Sequence, residues 1–289
     1  MNVCCRRSAG AALGLWLWLP LAAGAQTPQE IVRRAVALDA VNARRIREFT
    51  YRQRQQERQY DGSGNLRQTT TRTWEISFLE GSPYRRLVAR NDALLSPEEQ
   101  RIEDQRMRYA AERRRKESPT ERAKRVGEWE RRQQRQREPL PEIPDAFDFK
   151  PAGERTVDGE PVYVIDAAPK PGYRPRSSSG AYLTKMKARF WIAKRDFAWL
   201  RVEAGTLDTI AIGGILVRLA KGGSLSMEQG RVEDGLCLPK HYAIRASARV
   251  ALIKVVRTDV EYTLDDFRRS PADRSSDDNS SDNSSDQPR

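Results

Sequence analysis

Residues 186–203, M-K-A-R-F-W-I-A-K-R-D-F-A-W-L-R-V-E, decide the architecture of this chain. Side chains alternate with period two on both sides of Lys194-Arg195-Asp196, the pattern of two strands joined by a short charged turn. Met186, Ala188, Phe190 and Ile192 fall on one face of the first strand, and Lys187, Arg189 and Trp191 on the other. In the second, Ala198, Leu200, Val202 and Ala204 share a face opposite Trp199, Arg201 and Glu203. A three-residue connection predicts Phe190 beside Leu200, Ala188 beside Val202 and Trp191 beside Trp199. A two-residue shift, with Arg189 opposite Glu203, keeps the same parity and stays open. Either way the product is a sheet with one greasy face and one face of charges and tryptophans.

Outward from this hairpin the same period recurs. Thr27-Pro28-Gln29-Glu30 has the form of a capped helix start, and Ile31, Ala35, Leu38, Ile46 and Phe49 lie close to one face of a helix running to about Arg47. Phe49 to Tyr60, Leu66 to Phe78 and Tyr84 to Ala89 read as an antiparallel meander around Asp61-Gly62-Ser63-Gly64-Asn65 and Gly81-Ser82-Pro83. Strands resume over Phe147 to Thr156 and Val162 to Ala167, and again over Leu225 to Val232, Leu236 to Ile253 and Val255 to Tyr262. The apolar run Ile210 to Leu219, broken by Gly213-Gly214, is too short to span a bilayer and suits a bent strand or covering loop.

Ser96 to Arg137 interrupts this pattern. Ser96-Pro97-Glu98-Glu99 and Ser118-Pro119-Thr120-Glu121 repeat the cap logic, predicting helices Pro97 to Glu117 and Pro119 to Arg137. Ile102, Met107, Tyr109, Val126 and Trp129 are the apolar residues in a field of Arg, Glu, Gln and Lys. Such helices bury little, so they form a charged hairpin that projects from the sheet or lies across it. Two readings stand: an arm or lid meeting an anionic membrane surface, or a solvated insertion held by ion pairs. The fold class that follows is α+β, a curved antiparallel sheet (unclosed barrel) with an N-terminal helix and an inserted charged helical hairpin at 96–138.

Arg6-Arg7, the apolar run Ala9 to Ala23 and Ala23-Gly24-Ala25 before Gln26 have the form of a cleaved secretory signal, predicting a periplasmic protein. Cleavage there leaves Cys237 as the one cysteine, so no internal disulfide forms. Residues 271–289, rich in Ser, Asp and Asn, read as a disordered tail. The chain carries +12, with two arginines in the first 25 residues and five Asp against two Arg after Ser270, so the body 26–270 carries +13. For an exported chain that charge points to anionic surfaces rather than nucleic acid.

Catalytic chemistry has little to stand on. The single His, His241, opens a strand without identifiable Ser and carboxylate partners, and one His with one Cys makes no N/S metal site. We therefore expect no enzyme and no cofactor. Phe190, Ile192, Leu200, Val202, Tyr242 and Ile244 are the predicted walls of a ligand cavity, against the alternative of an ordinary closed core. Trp191, Trp199, Arg189 and Arg201 are the predicted contact surface for a partner or membrane, or else cation–π neighbours on an outer face.

The signal, leading helix and meander, the run A-R-F-W-I-A-K-R-D-F-A-W-L-R-V-E-A from Ala188 to Ala204, and Leu238-Pro239-Lys240 before paired terminal strands together resemble the LolA-like group. These are bacterial proteins that sort outer-membrane lipoproteins, with relatives that bind lipids or sense envelope state. Over roughly Gln26 to Phe267 the resemblance implies an unclosed antiparallel barrel with helices as a lid over a hydrophobic cavity. It implies a non-enzymatic periplasmic protein that holds a lipid, an acyl chain or a lipidated partner. The alternative is an envelope interaction or sensor module with a closed core. The Arg-rich hairpin departs from the lipoprotein carrier, and no carrier-specific functional residue is recognisable.

Overall fold

The structure is a computed structural model that describes residues 26–212, 217–250 and 254–270. The predicted signal, Gly213-Gly214 and the predicted tail lie outside the described residues. In chain order the elements are α1 (Pro28–Arg45), β1 (Phe49–Tyr60), β2 (Leu66–Leu79), β3 (Ser82–Arg90), β4 (Ala93–Leu94), α2 (Pro97–Arg115), α3 (Pro119–Arg137) and α4 (Ile143–Ala146). There follow β5 (Phe147–Val157), β6 (Glu160–Pro169), β7 (Met186–Ala193), β8 (Trp199–Thr206), β9 (Ile210–Ile212), β10 (Val217–Leu219), β11 (Ser224–Glu233), β12 (Leu236–Val250) and β13 (Lys254–Arg269). They form one antiparallel sheet in the order β4-β3-β2-β1-β13-β12-β11-β8-β7-β6-β5, with β10 joining β12 to β9. β4 and β5 stand at opposite edges and do not meet, so the sheet is not closed.

The β7–β8 hairpin takes the shifted register, with Arg189 opposite Glu203, Phe190 opposite Val202 and Trp191 opposite Arg201. Two local features set it. The turn holds four residues, Lys194 to Phe197, closed by Ala193 N donating to Ala198 O (2.8 Å) and Phe197 N to Ala193 O (3.0 Å). Phe197 accordingly takes the left-handed conformation at φ 65°. One residue more than the predicted connection reverses parity, so Trp199 lands opposite Ile192, and an irregularity at Leu200 reverses it back. Trp199 is therefore 3% exposed and stacked on Phe190 at 6.2 Å, rather than outward beside Trp191. Leu200 packs with Val162, Val164, Ala193, Ala198 and Cys237, away from Phe190.

α1 begins at Thr27, whose side chain accepts from Glu30 N, with Pro28 in the first turn. Its buried stripe is Ile31, Val32, Ala35, Val36, Asp39 and Asn42, and Leu38 is half-buried at the stripe's margin. That stripe packs with Phe147, Ile165, Ala167, Phe190, Ile192 and Trp199 to make the main core. α2 and α3 carry complete capping boxes at Ser96/Glu99 and Ser118/Glu121, as the repeated motif predicts.

The hairpin docks chiefly through arginine. Arg114 donates to the carbonyls of Leu79 (3.0 Å), Ser82 (2.8 Å) and Pro83 (3.2 Å). Arg125 donates to Glu80 O (3.0 Å) and Ser82 Oγ (2.5 Å) and is ion-paired with Glu117. Both guanidinium groups thus grip the β2–β3 turn, where Gly81 sits at φ 84° and an added Cβ would meet Val126 at 3.1 Å. Trp129 adds an edge-on contact with Phe78 at 5.5 Å. The hairpin lies against the sheet edge instead of projecting freely.

A third arginine ties the turns at the other end of the sheet. Arg231 on β11 donates to both oxygens of Glu160 and to Asp196 at 2.8 and 3.2 Å. That pairing holds the Glu160 carboxyl below its ordinary range, and burial, which raises Asp196, is outweighed there by Arg231 and Ala198 N. Carboxylates depressed in the fold contribute stability present above their unfolded pKa and lost as pH falls through the folded one. Arg231→Met is expected to cost about 2 kcal/mol in urea unfolding at pH 7. The gap to the parent should narrow below the ordinary values of 4.5 and 3.8. A gap that is constant from pH 7 to pH 3 would count against the clamp.

Candidate functional site

Strand pairing places side chains in rows that run across the sheet, because directly opposite residues share a face. On the face that α1 covers, one row reads Ile165, Phe190, Val202, Met227, Tyr242, Tyr262, Gln55, Arg72. The next reads Ala167, Ala188, Ala204, Leu225, Ile244, Val260, Glu57, Thr70. Both are apolar from β6 to β13 and turn polar at β1 and β2. α1 does not cover them evenly. Phe190 and Ile192 are 1% and 0% exposed under it, whereas Leu225 and Ile244 stand 37% and 41% exposed. The small side chains of Ala188 and Ala204 extend this apolar strip as a low track between the two regions.

The predicted cavity residues therefore divide. Phe190 and Ile192 are closed core, with Val202 partly buried against it. Leu200 is on the other face. Tyr242 joins an aromatic group with Tyr51, Trp74 and Tyr262, its ring edge-on to Tyr262 at 6.0 Å. Burial, with Asp39 adding to it, pushes the Tyr242 hydroxyl up to about 12, and burial raises Tyr51 as well. Ile244 is the member of the predicted set that is both apolar and open on the α1 face.

Coverage is fixed by a buried carboxylate. Asp39, 5% exposed on the inner stripe of α1, accepts from Trp199 Nε1 (2.9 Å) and Gln229 Nε2 (2.7 Å), and is ion-paired with Arg137 at the end of α3. One side chain thus ties the helix, two strands and the charged hairpin together. Glu142, 3% exposed, does a related task with its own partners. It accepts from Tyr173 Oη (2.5 Å), Arg176 N (2.8 Å) and Ser177 N (3.0 Å), holding the segment after β6 against α4. A Cβ at Gly180 would fall 2.5 Å from that carboxylate.

The opposite face is a lattice of alternating charge. Lys150, Asp166, Arg189 and Glu203 stand in one row, and Trp191, Arg201, Glu228 and His241 in another. Arg189 donates to both oxygens of Asp166 at 2.5 and 2.9 Å, lowering that carboxyl. Arg201 pairs with Glu203 at 2.5 Å and lies 5.2 Å from the centre of the Trp191 ring. His241 Nε2 is 3.0 Å from Glu261 Oε1, a contact that lowers the Glu261 carboxyl. An open groove of about 820 Å³ runs over this face, floored by Gly205, Ser224, Ser226 and Ala243. Of the four predicted contact residues, Arg189, Arg201 and Trp191 are here, and Trp199 is not. Among the described residues no group of three or more His, Cys, Asp or Glu is placed to hold a metal ion. Buried Cys237 has its thiol pushed up to about 11, chiefly by desolvation.

Sequence reading missed Asp39, Gln229 and Arg137. Their signal was a carboxylate at the next helical repeat after Ile31 and Ala35, a polar residue in an apolar stripe. It also missed Leu225, although Leu225 and Met227 alternate with Ser226 and Glu228. Asp39→Ala would leave the Trp199 and Gln229 donors buried without an acceptor. We expect it to lower stability by about 3 kcal/mol in urea titration and to shift Trp fluorescence to the red. A loss below about 1 kcal/mol would show that the node holds nothing together.

No family model matches the chain, and no curated protein matches it. Solved structures do. A domain from Vibrio parahaemolyticus assigned to outer membrane lipoprotein sorting aligns at 11% identity and TM-score 0.33, covering 83% of this chain and 94% of that one. A LolA superfamily protein from Nitrosomonas europaea aligns at 11% identity and TM-score 0.28, covering 86% and 97%. A DUF1329 family protein from Desulfovibrio piger aligns at 13% identity and TM-score 0.29, covering 83% and 92%. The fold assignment stands on the strand pairing itself.

Proposed function

We propose that this chain is an exported, non-enzymatic periplasmic binding protein that holds an acyl chain, as a lipid or a lipidated partner, against the α1 face of its sheet. The observation that carries the reading is the pair Leu225 and Ile244. They are adjacent in register, on the same face as a helix-covered core, and far more open than Phe190 and Ile192. A sheet normally closes its apolar face with its own helices. Here α1, about 27 Å long by its rise per residue, is held over the Phe190 side. An apolar ligand gains by covering what remains, at roughly 25 cal/mol per Å² removed from water. Val202, Tyr242 and Ile244 remain ligand-wall residues in this reading, joined by Leu225, Met227 and Val260.

The hairpin has a supporting role. Arg101, Arg108, Arg113 and Arg132 are exposed on α2 and α3 and suit anionic headgroups at a membrane surface. A second reading, a protein-interaction or sensor module, is favoured by the charged groove, where Arg189 and Arg201 would meet a partner, with Trp191 beside Arg201 on the same face.

Purified protein should take up a fluorescent fatty acid, and native mass spectrometry should show copurifying lipid. Ile244→Glu should weaken uptake at least about tenfold while leaving the thermal midpoint within a few degrees, since the position is already exposed. Clean protein with no uptake would leave the interaction module as the surviving reading.

A further inference from the structure

The two apolar rows do not end at a blank edge. They run into β1 and β2, where Tyr262 is followed by Gln55 and Arg72, and Val260 by Glu57 and Thr70. Arg72 is then opposite Arg90 on β3. Like charges directly opposite each other on neighbouring strands raise the energy of a sheet unless an anion lies between them. Arg90 is paired with Glu99 at 2.8 Å, whereas Arg72 has no ion pair among the described residues. Around the two guanidinium groups is a recess of about 290 Å³, lined also by Gln68, Thr70 and Asn91. Gln68 Nε2 and Thr70 Oγ1 are 3.3 Å apart and bring further donors to the same place. Arg85, opposite Ile76 two rows further along that face, lies over the Trp74 ring at 4.0 Å. Glu57 is the one carboxylate in these rows, and Gln59 Nε2 donates to it at 2.8 Å.

We infer that this recess is a head-group site for a phosphate, so that the ligand of the apolar strip is an amphiphile lying across the strands with its phosphate between Arg72 and Arg90. The inference rests on the acyl-binding reading above and gives it polarity. From Leu225 on β11 to Arg72 on β2 is four strand spacings, about 19 Å, a span suited to an extended fatty-acyl chain. Guanidinium groups suit the head because their fork of donors matches phosphate oxygens, and hydroxyl and amide donors complete the shell.

The test uses the full chain and two alkyl probes, dodecyl phosphate and dodecyl maltoside, with inorganic phosphate as the headgroup alone, by calorimetric titration in a phosphate-free buffer. Arg72→Gln should raise the Kd for dodecyl phosphate about tenfold or more and leave that for dodecyl maltoside unchanged, and Arg72→Lys should recover part of the loss. Arg72 is exposed and has no ion pair among the described residues, so these variants should fold as the parent does, checked by an unchanged thermal midpoint. If Arg72→Gln leaves both alkyl probes unaffected, the head-group site is wrong while the acyl strip stands. Inorganic phosphate binding as tightly as dodecyl phosphate would mean a free anion site and overturn the amphiphile. If neither alkyl probe binds, the acyl-binding reading fails and takes this inference with it.

Discussion

A single buried carboxylate determines which half of this sheet is closed. Asp39 is placed by helical period on the inner stripe of α1, where a charge is costly unless several donors surround it. Trp199, Gln229 and Arg137 supply those donors from β8, β11 and the end of α3. Moving α1 toward β12 would strip the carboxylate of its sheet partners, so the helix cannot slide to share its cover evenly. The closed core under Phe190 and the open track at Leu225 and Ile244 are two results of the same constraint.

The Arg-rich hairpin follows a related logic. Its helices offer few apolar side chains, so hydrophobic burial alone does not dock them. Arg114 and Arg125 instead donate to the carbonyls of a tight turn, and Arg137 reaches the buried carboxylate. Charge that looks excessive as a surface property is partly consumed in structure. Arg101, Arg108, Arg113 and Arg132 on α2 and α3 stay exposed to water.

Much of the fold was legible because alternation and capping are local. Proline-led, serine-capped helix starts at Ser96 and Ser118 were read correctly to the residue, as was the parity of β7. The β7–β8 register was not decided, because one extra turn residue and one bulge each move the pairing by a single step and together cancel in parity at Val202. That cancellation hid Trp199, which arrives on the buried face only between the two irregularities. The candidate site was legible in its residue types but not in its extent. The rows joining Ile165 to Arg72 depend on which strands are neighbours, and β13 pairing with β1 across the length of the chain has no local signal.

In the proposed function an apolar molecule from outside lies on the strip between α1 and β1. Photo-crosslinking with a diazirine-bearing fatty acid, followed by peptide mapping, addresses it directly. Adducts are expected on the peptides carrying Leu225, Ile244 and Val260, with Phe190 and Ile192 unlabelled beneath α1. Labelling absent from β11 to β13, or centred on the charged groove of the opposite face, would contradict it.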